Sequence, residues 1–251
     1  MMPTVETLYR FPVKGFSPER LDHVVLEPGR PVAGDRIYAV ENGPSGFDPT
    51  APAFQPKMKF LCLMKNARLA RLSTTLDPET HEWRIESAVG GMTAGLAAPE
   101  GRAAAEAWLS DFMDDELRGP LRVLSAPGHS FSDVGKPFIS LINLASVAAL
   151  SLIIGRTVDP LRFRANVNLT GWPPFAELDL VGREAQLGEA RVTIVKRTRR
   201  CVATNVDPAT AERDMAIPAT LQQEFDHMDC GVYAEVTVGG RVAPGDQLKL
   251  L

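Results

Sequence analysis

Cysteine and histidine are scarce in this chain, and their scarcity removes several kinds of chemistry. The 251 residues hold three cysteines, Cys62, Cys201 and Cys230. An odd number with no CxxC pair excludes a disulfide framework and offers no cysteine cluster for an iron–sulfur group. The four histidines, His23, His81, His129 and His227, lie far apart and lack metal-binding spacing. Also missing are a phosphate loop ending in GK[ST], a GxGxxG after a strand, an HExxH and a GxSxG. No repeat or low-complexity segment is present. The opening MMPTVETLYRFP has no basic stretch followed by an apolar run, so a secretory signal is not expected and the protein is placed in the cytoplasm. The longest apolar run, Phe138 to Gly155, contains Ser140, Asn143, Ser146 and Ser151 and falls short of the roughly 20 residues of a membrane span. It reads as a buried helix near Ser140 to Ile154, with no membrane partner. A net charge of −4 gives the molecule no general pull on polyanions. The basic run at 196–200 lacks interleaved aromatics for base stacking, so nucleic acid is not an expected partner either.

The pattern that is present consists mostly of short strands and turns. Val5, Thr7, Tyr9, Phe11 and Val13 share one face of an extended segment, and Lys14 emerges at its end. Strands are expected at His23 to Leu26 and at Arg36 to Val40. A hairpin should follow, with arms Ala67 to Thr74 and Glu82 to Ser87 joined by Asp77-Pro78-Glu79-Thr80. Gly101 to Met113 has Ala105, Trp108, Leu109 and Phe112 at helical spacing and could form a seam between domains. Strands return to the end of the chain, through FRANVNL, ARVTIVKR, VYAEVTV and QLKLL. The fold class is therefore mainly β with a few helices (α+β), barrel-like, with no alternating βαβ units.

Two segments could carry chemistry. From Arg162 to Leu169 an alternating strand would put Phe163, Ala165, Val167 and Leu169 on one side and Arg162, Arg164, Asn166 and Asn168 on the other. The polar side is either a solvated face or an anion site, for which the planar fork of arginine is suited. Lys196, Arg197, Arg199 and Arg200 directly precede Cys201. Positive charge near a thiol favours the thiolate, which ligates metals and attacks electrophiles, but a packed cysteine in a solvated basic face fits the same pattern. Cys62, in KFLCLM, reads as a core residue, and His227 with Asp226, Asp229 and Cys230 as a surface loop.

Taken together, LYRFPVKG, GDRIYAV, FRANVNL, RRCVATNVDPAT and VAPGDQLKLL resemble, in order, the MOSC family (the molybdenum cofactor sulfurase C-terminal domain) preceded by its N-terminal β-barrel domain. The resemblance covers nearly the whole chain and implies an N-terminal domain over residues 1–95 and a MOSC domain over 96–251. Similar members, including the mitochondrial amidoxime reducing component, bind molybdenum cofactor, a metal held by a molybdopterin. The resemblance implies that Cys201 is the metal ligand and catalytic centre, and that Lys14, Arg36, Arg164, Asn166, Arg200, Thr204 and Asp207 contact the pterin, its phosphate or the loop around them. The family pattern has glycine where Ala211 stands. It further implies oxygen-atom transfer from a small N-hydroxylated substrate, with electrons from a separate donor protein because no flavin, haem or iron–sulfur motif is present. The alternatives are a non-catalytic cofactor carrier, a sulfur-transfer module using Cys201, or a metal-free thiol sensor.

Overall fold

The structure is a computed structural model that describes residues 2–251. In its first half lie β1 (Thr4–Arg10), β2 (Glu19–Leu21), β3 (Val24–Leu26), β4 (Ala39–Asn42), β5 (Ser73–Leu76), β6 (Glu82–Ser87), β7 (Gly90–Gly95), α1 (Pro99–Met113) and β8 (Leu121–Leu124). The second half adds β9 (Ile139–Asn143), α2 (Leu144–Ile154), β10 (Val167–Thr170), β11 (Glu184–Leu187) and β12 (Ala190–Arg199). It ends with α3 (Ile217–Phe225), β13 (Asp229–Val238), β14 (Gly240–Val242) and β15 (Leu248–Leu250). The molecule is mainly β with three α-helices, as the sequence pattern predicts, and none of its described helices is long and apolar enough to cross a membrane.

Eight strands form the main sheet in the order β15-β11-β12-β13-β9-β10-β1-β2. Only β9 and β10 pair in parallel, and α2 lies in the connection between them. The backbone around Val5 also bonds to the segment before β15, through Val5 N to Asp246 O at 2.8 Å and Leu248 N to Pro3 O at 2.9 Å. β1 thus meets the opposite edge, and the sheet closes on itself, which satisfies the groups that an open edge would expose. Inside it lie Leu8, Ile139, Leu169, Val192, Ile194, Val232 and other buried aliphatics. Fully burying each such side chain contributes about 1.5–3 kcal/mol, so the alternation along β12 and β13 fixes their register firmly.

A second core gathers Phe16, Leu61, Trp83, Ile85, Leu109 and Met113 from the first half. α1 contributes Ala105, Leu109 and Met113 to it and packs against β7 and β8. The division expected after residue 95 falls in the turn between β7 and α1. β1 meanwhile pairs with β10, so the start of the chain is part of the barrel built mainly by its end.

Four expected elements differ. The strand expected over Arg36 to Val40 begins in a turn, with Arg36 at φ +53°, and β4 starts only at Ala39. The run read as one helix over Ser140 to Ile154 is a strand, β9, followed by α2. Asn143 makes the switch, its Oδ1 accepting from Ala145 N at 3.1 Å as an N-cap. The expected strand from Arg162 to Leu169 is extended only over β10. Asp159 accepts from Leu161 N at 2.8 Å and Pro160 opens a 3-10 turn through Phe163, which Arg164 ends at φ +51°. The hairpin arm expected over Ala67 to Thr74 starts as a 3-10 turn, Ala67–Arg71, and only Ser73–Leu76 pairs with β6.

Candidate functional site

The side chains singled out in the sequence meet in a cleft between the two cores. Lys14, Arg36, Arg164, Asn166, Arg200, Cys201 and Thr204 all line it. Asp207 does not.

Lys14 is fixed by its backbone bond to Tyr38 O at 2.9 Å, beside the bridge from Val13 to Tyr38. Its Nζ, 4% exposed, donates to Phe131 O at 2.8 Å and pairs with Asp133. Burial lowers its pKa, and Asp133 opposes that shift. Arg36 and Arg164 come from opposite halves of the chain and both lie against the Phe11 ring, at 4.9 and 4.2 Å from its centroid. Arg36 pairs with Asp35 and donates to Arg164 O at 3.2 Å, while Arg164 Nη1 donates to Phe16 O at 2.8 Å. Burial and the neighbouring Arg36 push Arg164 down to about 9, which leaves it cationic at neutral pH. Arg200 is gripped by two carbonyls, Nε donating to Cys230 O at 2.6 Å and Nη1 to Phe163 O at 2.8 Å.

Four buried polar atoms on the cleft's lining residues have no partner among the described residues: Arg162 Nε, Arg164 Nη2, Arg200 Nη2 and Thr198 Oγ1. Buried donors are normally satisfied, and leaving one unpaired costs about 1–3 kcal/mol. An anion carrying several oxygens supplies what these donors lack. Asn166 is placed differently. Its Oδ1 accepts from Ser140 N and Oγ and its Nδ2 donates to Tyr9 O, so it ties β9 to β1 and has one N–H left for a ligand.

Cys201 stands two residues past the end of β12 and is half-buried. Of the four preceding cations, Arg199 and Arg200 line the cleft with Cys201, while Lys196 and Arg197 turn elsewhere. Lys196 lies over the Tyr233 ring, Arg197 binds Leu178 O and Asp179, and Arg200 points inward, because alternation along a strand sends neighbours to opposite faces. The cation beside the thiol is Lys57, whose Nζ is 3.3 Å from Cys201 Sγ and 3.3 Å from Asp133 Oδ2. Burial alone would lower Lys57, but Asp133 and Cys201 outweigh it and hold its pKa above the usual value. Asp133, between Lys14 and Lys57, is held well below the ordinary carboxylate range by the charges of the two lysines. Lys57, Asp133 and Tyr233 went unnoticed in the sequence, since Lys57 and Asp133 sit in stretches without periodicity.

Asp207 and Thr204 shape the backbone after the thiol. Thr204 Oγ1 donates to Cys201 O at 2.9 Å. Asp207 Oδ1 accepts from Ala209 N and Thr210 N, both at 2.9 Å, and Oδ2 pairs with Arg162 Nη2 at 2.7 Å. Arg162 also holds Asp214 at 2.8 Å. Asp207 thus anchors the loop from behind. Ala211 ends that turn at φ +63°, where an alanine Cβ is strained. Ala211→Gly is expected to stabilise the protein by about 0.5–1 kcal/mol, net of the extra chain entropy of glycine. Chemical denaturation would show this as a higher midpoint at unchanged slope, and an unchanged or lower midpoint would contradict it.

The other thiols are buried. Cys62 belongs to the interior as expected, yet it also lines the cleft, and burial pushes its thiol up. Cys230 is fully enclosed, with its thiol pushed up to about 12. Beside it, His227 Nδ1 accepts from Asp229 N at 3.0 Å, and no group of three or more His, Cys, Asp or Glu among the described residues could hold a metal alone.

The sequence matches two domain models, the MOSC N-terminal beta barrel domain over residues 2–116 and the MOSC domain over residues 129–249. The molybdenum cofactor sulfurase of Caenorhabditis elegans is 31% identical over 134 residues, covering 52% of this chain and 18% of that protein. The molybdenum cofactor sulfurase of Caenorhabditis briggsae is 26% identical over 254 aligned residues, covering 92% of this chain and 33% of that protein. The chain therefore spans a third or less of the length of these curated relatives. Among solved structures, the YuaD protein from Bacillus subtilis aligns over 100% of this chain and 96% of its own, at 13% identity and a TM-score of 0.47. YiiM from Geobacillus stearothermophilus aligns over 45% of this chain and 53% of its own, at 22% identity and a TM-score of 0.37.

Proposed function

The chain belongs to the MOSC family, with the N-terminal barrel domain and the MOSC domain in tandem, and on that basis we propose that it binds molybdenum cofactor through Cys201 and reduces small N-hydroxylated compounds. The observation that carries the reading is the pairing of a partly exposed thiol with buried, unpartnered donors in one cationic cleft. The residues fit the group. A thiolate is a soft ligand, and guanidinium forks match phosphate oxygens.

Arg164 and Arg200 hold the phosphate through their free Nη2 atoms, with the Thr198 hydroxyl beside them. Because each guanidinium is already pinned by protein carbonyls, little side-chain entropy is lost on binding. Lys14 and Arg36 supply further positive charge from the N-terminal half of the chain. Lys57 orients Cys201 Sγ, and Asp133 keeps both lysines in place. The bound cofactor supplies two-electron oxygen-atom transfer. An amidoxime then takes up two electrons and two protons and leaves as an amidine and water, the electrons arriving from a separate donor protein.

Purified protein from cofactor-replete cells, supplied with an artificial electron donor, should contain molybdenum and pterin and convert benzamidoxime to benzamidine. Bound cofactor without turnover would instead favour a carrier or a sulfur-transfer module, a reading supported by the names of the curated relatives. Arg164→Met should lower pterin content about tenfold, the effect of one charge-assisted hydrogen bond. Pterin fluorescence measures it, and undiminished fluorescence would remove Arg164 from the phosphate site.

A further inference from the structure

A second compartment opens beside the cleft and shares Ser132 with it. Its frame is stiff. Pro31, Pro52 and Pro137 restrict the backbone, and Gly128, at φ +70°, brings main chain to the wall. Phe54, 48% exposed, lies over Gly135, where a Cβ would stand 3.5 Å from it, and offers a flat apolar face. Arg30 and Lys136 line the compartment, and no carboxylate does among the described residues. Neither cation belongs to an ion pair among the described residues. His129 packs on Phe47 and Phe131 at 5.2 and 4.7 Å, and burial lowers its pKa, so it is neutral at pH 7. Arg30 and Lys136 are then the local positive charge.

We propose that this compartment receives a carboxylate at the far end of the substrate, so that the preferred substrates are N-hydroxylated compounds with an aromatic or apolar body and a distal carboxylate. The inference rests on the reading of the cleft given above. Three features favour it. The compartment shares the lining residue Ser132 with the cleft that holds Cys201, its two cations lack acidic partners, and Phe54 provides a face for the body between the two ends. Exposed cations with no partner remain available to an incoming anion, whereas the arginines of the cleft are largely engaged by the protein.

The test compares benzamidoxime with 4-carboxybenzamidoxime, using cofactor-loaded protein, an artificial donor and the double variant Arg30→Gln/Lys136→Gln. The carboxylated substrate should show the lower KM in the native protein. The double variant should raise that KM about tenfold, as expected for two exposed ion pairs, with kcat and the neutral substrate unchanged. A separate arm titrates benzoate and benzamide into cofactor-free protein. Benzoate should bind more tightly, and the double variant should lose that preference. Equal KM values for the two substrates, or no benzoate preference, would overturn the proposal. A loss of pterin content in the double variant would also overturn it by assigning the compartment to an extension of the cofactor. Benzoate binding in a protein that turns over neither compound would support the anion site and refute the reductase reading instead.

Discussion

Cys201→Ala is expected to lose molybdenum by at least about a hundredfold and to abolish reduction of N-hydroxylated substrates, while the fold survives. Substitutions behind a metal ligand already cost 10–100-fold in affinity, and removing the ligand should cost no less. Survival of the fold follows from position. Cys201 is half-buried at the end of β12, outside the apolar clusters, and its neighbours Arg200 and Thr204 are held by backbone groups that the substitution leaves in place. Loss of a small, partly exposed side chain costs about 1 kcal/mol or less. Cys201→Ser should keep some metal at a shifted potential, because a hard oxygen replaces a soft sulfur. Metal analysis together with thermal unfolding separates the effects. A fully loaded Ala variant would end the assignment of Cys201, and an unfolded one would move its role to structure.

Arg162→Met should destabilise the protein by about 3 kcal/mol at neutral pH, the low end for breaking a buried ion pair. Its guanidinium is 1% exposed and pairs with Asp207 and Asp214, which are 23% and 14% exposed and so keep some contact with water. The deficit should narrow as pH falls. Burial disfavours the Asp207 carboxylate, yet the amides of Thr210 and Ala209 and the charge of Arg162 outweigh it and lower its pKa. A lowered folded-state pKa adds stability above the ordinary carboxylate range, and that stability is lost as pH drops through the folded value. The native protein therefore gives up stability in acid that the variant no longer has. Urea unfolding at pH 7 and pH 3 would show the gap, and a deficit independent of pH would assign Arg162 to packing.

What could be read in the sequence follows physical scale. Cys201, Thr204 and Asp207 lie within one segment that the resemblance to a family motif covers, and their hydrogen bonds are local. Lys57 and Asp133 escaped, because Lys57 reaches Cys201 across 144 positions of chain and Asp133 reaches Lys57 across 76, from stretches with no helical or strand period. The β9–α2 boundary was hidden by a uniformly apolar run, in which buried strand and buried helix look alike. Asn143, the N-cap, was the local signal that could have marked it. Asp159-Pro160 could have done the same for the turn before Arg164. The backbone at Arg162 is a 3-10 turn where a strand was expected, yet Arg162, Arg164 and Asn166 still line one cleft.

The pairing of β1 with β10 has a temporal consequence. During synthesis the strand Thr4–Arg10 emerges before its partner Val167–Thr170, which is translated about 160 residues later, and the seam at 245–248 comes later still. Such distant pairing is slow to form, and the nascent edge stays open in the meantime. Arg164 and Cys201 also leave the ribosome long after Lys14 and Arg36, so the cleft that these residues line is complete only once both halves of the chain have emerged.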